Sequence, residues 1–168
     1  MKKFKFKLSQ IIIGLFLLPL VALSQPKVVV LPFQNMDGHM ELNTICYEMQ
    51  DSVFKAFNLK DPGNKYLELI PLTDVEEVLF EMNLDPSNPQ YPSDMWKAVK
   101  KLGAKYVILG TFNVQANRIL MNTYIYDVDF KLAYPDYQAL DMFKPQEQIL
   151  ENVPFILESL FPFFVDMK

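Results

Sequence analysis

The chain has 168 residues, 51% of them hydrophobic, with 16 basic and 20 acidic residues, one cysteine and one histidine. A single cysteine excludes an intramolecular disulfide, so the fold must rest on an apolar core. The acidic excess repels nucleic acid and anionic lipid headgroups at long range, so without a local basic patch neither is expected as a direct partner.

The first residues carry Lys2, Lys3, Lys5 and Lys7 and no acid, followed by an apolar run from Ile11 to Leu23 and then Ala22-Leu23-Ser24. This is the basic, apolar, small-residue layout of a secretory signal, with the cut expected after Ser24. The apolar run is short for a bilayer-spanning helix, and Pro19 within it disfavours a stable anchor. No membrane span is therefore expected after cleavage. No cysteine stands at the cut, so the product is expected not to be a lipoprotein. Removing four lysines and no acid leaves 12 basic against 20 acidic residues, a net charge near −8 over residues 25–168.

Lys27 to Phe33 is continuously apolar after its lysine, which suits a central strand covered on both faces. Gln34 to His39 then reads as a loop. Leu42, Ile45, Met49, Val53 and Phe57 recur at three- and four-residue steps and predict a helix from about Met40 to Asn58. Cys46 lies in that stripe and reads as a small buried apolar residue. Asp61-Pro62-Gly63-Asn64 is a turn, and Tyr66 to Pro71 a short strand closed by proline. Thr73, with Glu76 three residues on, has the spacing of a capping box for a second helix. After a proline-rich loop from Asp85 to Pro92, Ser93 is expected to cap a third helix, and Gly103 to stop it. Its lysines Lys97, Lys100, Lys101 and Lys105 read as a solvated face, and Trp96 as a helix-to-sheet packing residue.

Tyr106 to Val114 predicts a strand in which Gly110 marks a bulge or a close backbone approach. Gln115-Ala116-Asn117 turns it into an antiparallel strand from Arg118 to Asp129. Ile119, Met121, Thr123 and Ile125 share one face of that strand, and Leu120, Asn122, Tyr124 and Tyr126 the other. Ala139 to Phe143 is expected as a short fifth strand. A final helix from Gln146 to about Phe164 should be kinked or shortened by Pro154 and Pro162. The order β-α-β-α-α-β-β-β-α predicts a single α/β domain over 25–168, with helices on a mixed sheet of about five strands.

Three stretches carry a family resemblance: Leu31 to Asn35 (Leu-Pro-Phe-Gln-Asn), Leu102 to Gly110 (Leu-Gly-Ala-Lys-Tyr-Val-Ile-Leu-Gly) and Arg118 to Val128. With their order, the chain resembles the TolB amino-terminal-like domain and the related CsgG and LpoB families of bacterial envelopes. The resemblance implies a non-enzymatic module that docks other proteins. The missing lipidation cysteine, the absence of a following propeller and the segment Lys131 to Gln138 depart from the family pattern.

The residues offer little for catalysis. His39, in Asp37-Gly38-His39-Met40-Glu41, stands alone, whereas transition-metal sites usually recruit several histidines or cysteines. The plainer reading has Asp37 capping the next helix. No nucleophile elbow or glycine-rich phosphate loop occurs. No catalytic residue, metal or cofactor is expected. Tyr124, Tyr126, Tyr134 and Tyr137 gather around the fourth strand and its exit, and tyrosine suits interfaces because it buries area yet keeps a polar tip. Phe161, Phe163 and Phe164 must either fold onto the core or dock elsewhere. These seven are the expected partner-binding residues of an exported, periplasmic or secreted accessory protein. The partner expected is another envelope protein, with a homo-oligomer left open. The alternative is a small-ligand site in the loop after the first strand, using Asn35, Asp37, His39 and Glu41.

Overall fold

The computed structural model describes residues 25–167; the secretion signal expected at residues 1–24 lies outside them. The strands are β1 (Lys27–Val30), β2 (Gln34–Asn35), β3 (Glu68–Leu69), β4 (Tyr106–Gln115), β5 (Arg118–Asp127) and β6 (Leu132–Lys144). The helices are α1 (Asn43–Lys60), α2 (Leu72–Glu81), α3 (Tyr91–Lys101) and α4 (Val153–Asp166), with 3-10 turns at Met40–Leu42 and Gln146–Asn152 leading into α1 and α4. The expected α/β class and mixed sheet are present. The sheet order is β3-β1-β4-β5-β6, with β2 pairing β4 beyond the end of β1. β1 runs parallel to both neighbours, whereas β4–β5–β6 is an antiparallel meander.

The continuous apolar run has a direct cause. Val28 and Val30 face a core closed by α1 and α4, while Val29 and Leu31 face a second core closed by α2 and α3. A strand with a helical layer on each face has no polar side to show. Gln50, buried in α1, donates from Nε2 to the carbonyl of Val30 at 2.8 Å and ties the helix to the strand end. Asp61 does the same for the turn after α1. Its buried carboxylate accepts the N–H groups of Lys65 and Tyr66, both at 2.8 Å, and of Leu67 at 3.1 Å.

Several expectations need correction. Gln34 and Asn35 are not loop but a two-residue strand, buried against β4. Thr73 does not cap α2: Pro71 holds the cap position, and the Thr73 hydroxyl bonds Asp74 instead. Ser93 lies inside α3, whose cap residue is Gln90, and its hydroxyl donates back to the Gln90 carbonyl at 2.7 Å. The strand expected at Ala139 to Phe143 is not short: β6 spans 13 residues. It is broken, however. It pairs with β5 in stretches at 142–144, 138–139 and 132–133, with register shifts at Leu140-Asp141 and around Tyr134 to Tyr137. Gly103, at φ +68, is the left-handed stop expected after α3.

Candidate functional site

α2 and α3 cover the sheet only as far as the start of the meander. Trp96 of α3 packs edge-on against Tyr126 at 5.7 Å between ring centroids, with the Lys131 ammonium 5.6 Å over the indole. Trp96 is thus the helix-to-sheet packing residue expected. Beyond it the same face of β4, β5 and β6 carries half-buried Thr111, Asn113, Leu120, Asn122, Tyr124 and Phe143. The register sets these in cross-strand rows: Asn113 beside Leu120 beside Phe143, and Tyr124 beside Gln138. Leu140 adds an exposed apolar side chain at the edge. The Arg118 guanidinium stacks 4.2 Å over the Phe143 ring and donates to the Phe143 carbonyl at 2.7 Å, which fixes one end of the patch.

The expected tyrosine cluster is therefore split by the sheet. Tyr124 and Tyr126 sit together at 5.8 Å on this open face. Burial, and then the neighbouring Tyr124, push the Tyr126 phenol above its ordinary value. Tyr134 and Tyr137 turn to the opposite face, where their rings pack at 4.4 and 5.4 Å from Phe163. Phe161, Phe163 and Phe164 are core residues, 6%, 3% and 1% exposed, so in the folded monomer Phe163 and Phe164 offer no docking surface, and Phe161 offers only the small part that lines a groove between α4 and the end of α1. Tyr106 and Phe57 meet them edge-on and close an aromatic cluster under α4. The sequence could not separate these alternatives, because an aromatic side chain meets the needs of a core and of an interface equally well.

The loop after β1 is mostly spent on itself. Asn35 is buried; its Nδ2 donates to the His39 carbonyl at 2.8 Å and to Asn43 Oδ1 at 3.2 Å, and its Oδ1 accepts the Asp37 N–H at 3.2 Å. Asp37 does not cap a helix but accepts the Val114 N–H at 2.5 Å, pinning the loop to β4. His39 and Glu41 point outward, 3.4 Å apart, beside Asn117 and Arg118 in a shallow hollow of about 340 Å³. Among the described residues, no group of three or more His, Cys, Asp or Glu side chains is placed to hold a metal ion. The lysines in and just after α3 are largely paired: Lys97 with Asp94 at 3.3 Å, Lys101 with Glu81, and Lys105 with Asp129 and Asp127 at 2.8 and 3.2 Å.

No model of a known protein family matches the chain, and no curated protein matches it. Solved structures do. The solution structure of LpoB from Escherichia coli is 15% identical with a TM-score of 0.52, over 73% of this chain and 59% of that one. The LpoB carboxyl-terminal domain from Salmonella enterica is 14% identical with a TM-score of 0.46, over 73% and 84%. The lipoprotein GNA1162 from Neisseria meningitidis is 14% identical with a TM-score of 0.48, over 79% and 94%. The chain shares the fold of Escherichia coli LpoB.

Proposed function

We propose that the chain is an exported, non-catalytic accessory protein of the bacterial envelope that binds another envelope protein through the open face of β5 and β6. The observation that carries this reading is the early end of the α2–α3 layer, which leaves Leu120, Tyr124, Leu140 and Phe143 without a cover on a sheet whose other faces are packed. Half-buried tyrosine and aliphatic side chains, framed by Asn113, Asn122 and Arg118, form an apolar centre with a polar rim, the common anatomy of a protein interface. The fold shared with LpoB accords with this role. Cleavage after Ser24, export without a lipid anchor, and membership of the wider TolB and CsgG group belong to the same proposal.

The test is in-cell photocrosslinking with a photoreactive residue at Tyr124 or Leu140 and, as control, at Glu76 on the far surface of α2. A discrete envelope protein captured from the sheet positions and lost on Leu120→Asp supports the reading. Self-adducts alone would assign the face to a homo-oligomer. No adduct from either position, with the protein folded and abundant, would overturn it. The small-ligand alternative is weakened by the loop itself, since Asn35 and Asp37 are committed to internal hydrogen bonds.

A further inference from the structure

On the opposite side of the sheet, α4 is apolar all the way round: of its residues Val153 to Asp166 only Glu158, Ser159 and Asp166 are polar. With the preceding 3-10 turn, Gln146–Asp166 has the length and composition to cross a membrane. A helix of that kind is normally covered on every side. Here Ile156, Leu160, Phe163 and Phe164 are buried, yet Phe155 and Val165 stay 49% and 40% exposed on the outer side. Between α4 and the end of α1 lies an open groove of about 510 Å³ with an apolar wall of Leu157, Phe161, Pro162 and Val165.

The rim of this groove has a definite polarity. Lys60 is held over the Phe161 ring at 5.8 Å, and Asp166 accepts a hydrogen bond from the Tyr137 hydroxyl at 2.9 Å. Glu158 is exposed, and among the described residues no ion pair or side-chain hydrogen bond engages its carboxylate. Pro162, four residues on, has no N–H to give the Glu158 carbonyl, so the helix cannot satisfy that acceptor in its usual way. The Glu158 carboxylate stands as an unpaired acceptor at the lip of an apolar trough. An anionic bilayer is a poor match, because Glu158 and Asp166 would face its headgroups.

We propose that this groove docks a segment of another protein that carries apolar side chains beside a lysine or arginine. The apolar side chains would lie on Leu157, Phe161 and Val165, and the cation on Glu158. The surface lies across the sheet from the tyrosine face, so either can fail alone.

The test is fluorescence anisotropy of a labelled synthetic helix of leucine and lysine, and of its leucine–glutamate counterpart, titrated with residues 25–168. The lysine peptide should bind and the glutamate peptide should not. Glu158→Lys and Val165→Asp should each weaken binding by at least about tenfold. Glu48→Lys, an equal charge change on the exposed side of α1, should leave it within about twofold. Equal losses in Glu48→Lys and Glu158→Lys, or binding indifferent to both groove variants, would overturn the proposal. So would self-association, or binding to anionic phospholipid vesicles, that takes the place of peptide binding and disappears in Val165→Asp. Circular dichroism of each variant separates lost binding from lost fold.

Discussion

The ring of Phe33 occupies the space that a side chain at Gly110 would need: a Cβ built there would stand 2.0 Å from ring atoms Cδ1 and Cε1. The glycine lies in mid-β4 and its φ is unremarkable, so the constraint is contact, not backbone conformation. Gly110→Ala should destabilise the fold by about 3 kcal/mol, because neither a buried ring nor a central strand can step aside cheaply. Combined with Phe33→Ala, itself worth about 3–5 kcal/mol, the effects should be clearly less than additive. Urea unfolding of the two single variants and the double variant measures both quantities.

Asp61 organises the return from α1 to β3 by collecting three backbone N–H groups on one carboxylate. Asp61→Ala leaves those donors unpaired next to buried Leu67, and should cost about 2–3 kcal/mol. Asp61→Asn, which keeps one acceptor oxygen, should fall between. Hydrogen exchange at the amides of residues 65–67 should accelerate in the same order.

Thr123 faces the core at β5, and its hydroxyl has no protein partner. Thr123→Val keeps the shape and removes a buried polar atom. It should raise the unfolding free energy by about 1 kcal/mol, read as a higher urea midpoint at unchanged m.

The alkaline limb of stability has identifiable sources. Burial pushes the Cys46 thiol up to about 12 from its ordinary 9.0. Burial pushes the Tyr91 phenol up as well. Groups raised in the folded state contribute fully below their unfolded values and lose that contribution as pH rises toward the folded ones. The unfolding midpoint should therefore hold up to about pH 9 and fall beyond it, and Cys46→Ala should flatten the first part of that fall. In native protein at pH 8 the thiol should resist a disulfide-exchange reagent that modifies it at once in urea.

Much of the scaffold is readable from one-dimensional pattern, and the failures share a cause. The run from Val28 to Leu31 and the alternation from Ile119 to Ile125 report burial directly, since covered faces take apolar residues. The sequence predicts only the Ala139 to Phe143 part of β6, because Pro135 and Asp136 carry no strand signal; these two and Asp141 occupy the interruptions in the strand, with Asp141 at φ 54 and its N–H on Asn122 Oδ1 at 2.8 Å. The two caps failed because Thr73 and Ser93 sit one position or more inside helices that begin at Leu72 and at Tyr91. The candidate surface was only half legible. Period-2 alternation puts Tyr124 and Tyr126 on one face, but the irregular turn through Tyr134-Pro135-Asp136-Tyr137 carries the later tyrosines to the other.

That interrupted strand also governs how copies of the molecule meet. One rim of the sheet is β3, two residues long, and the other is β6, whose regular pairing never exceeds three consecutive residues. An approaching strand from a neighbouring copy finds no uninterrupted row of amides and carbonyls to zip onto, and meets a proline and two aspartates where it would have to continue. Both rims are thereby poor templates for strand addition. Recognition is left to side chains on its faces, which can be altered one at a time, and not to main-chain addition at its rims.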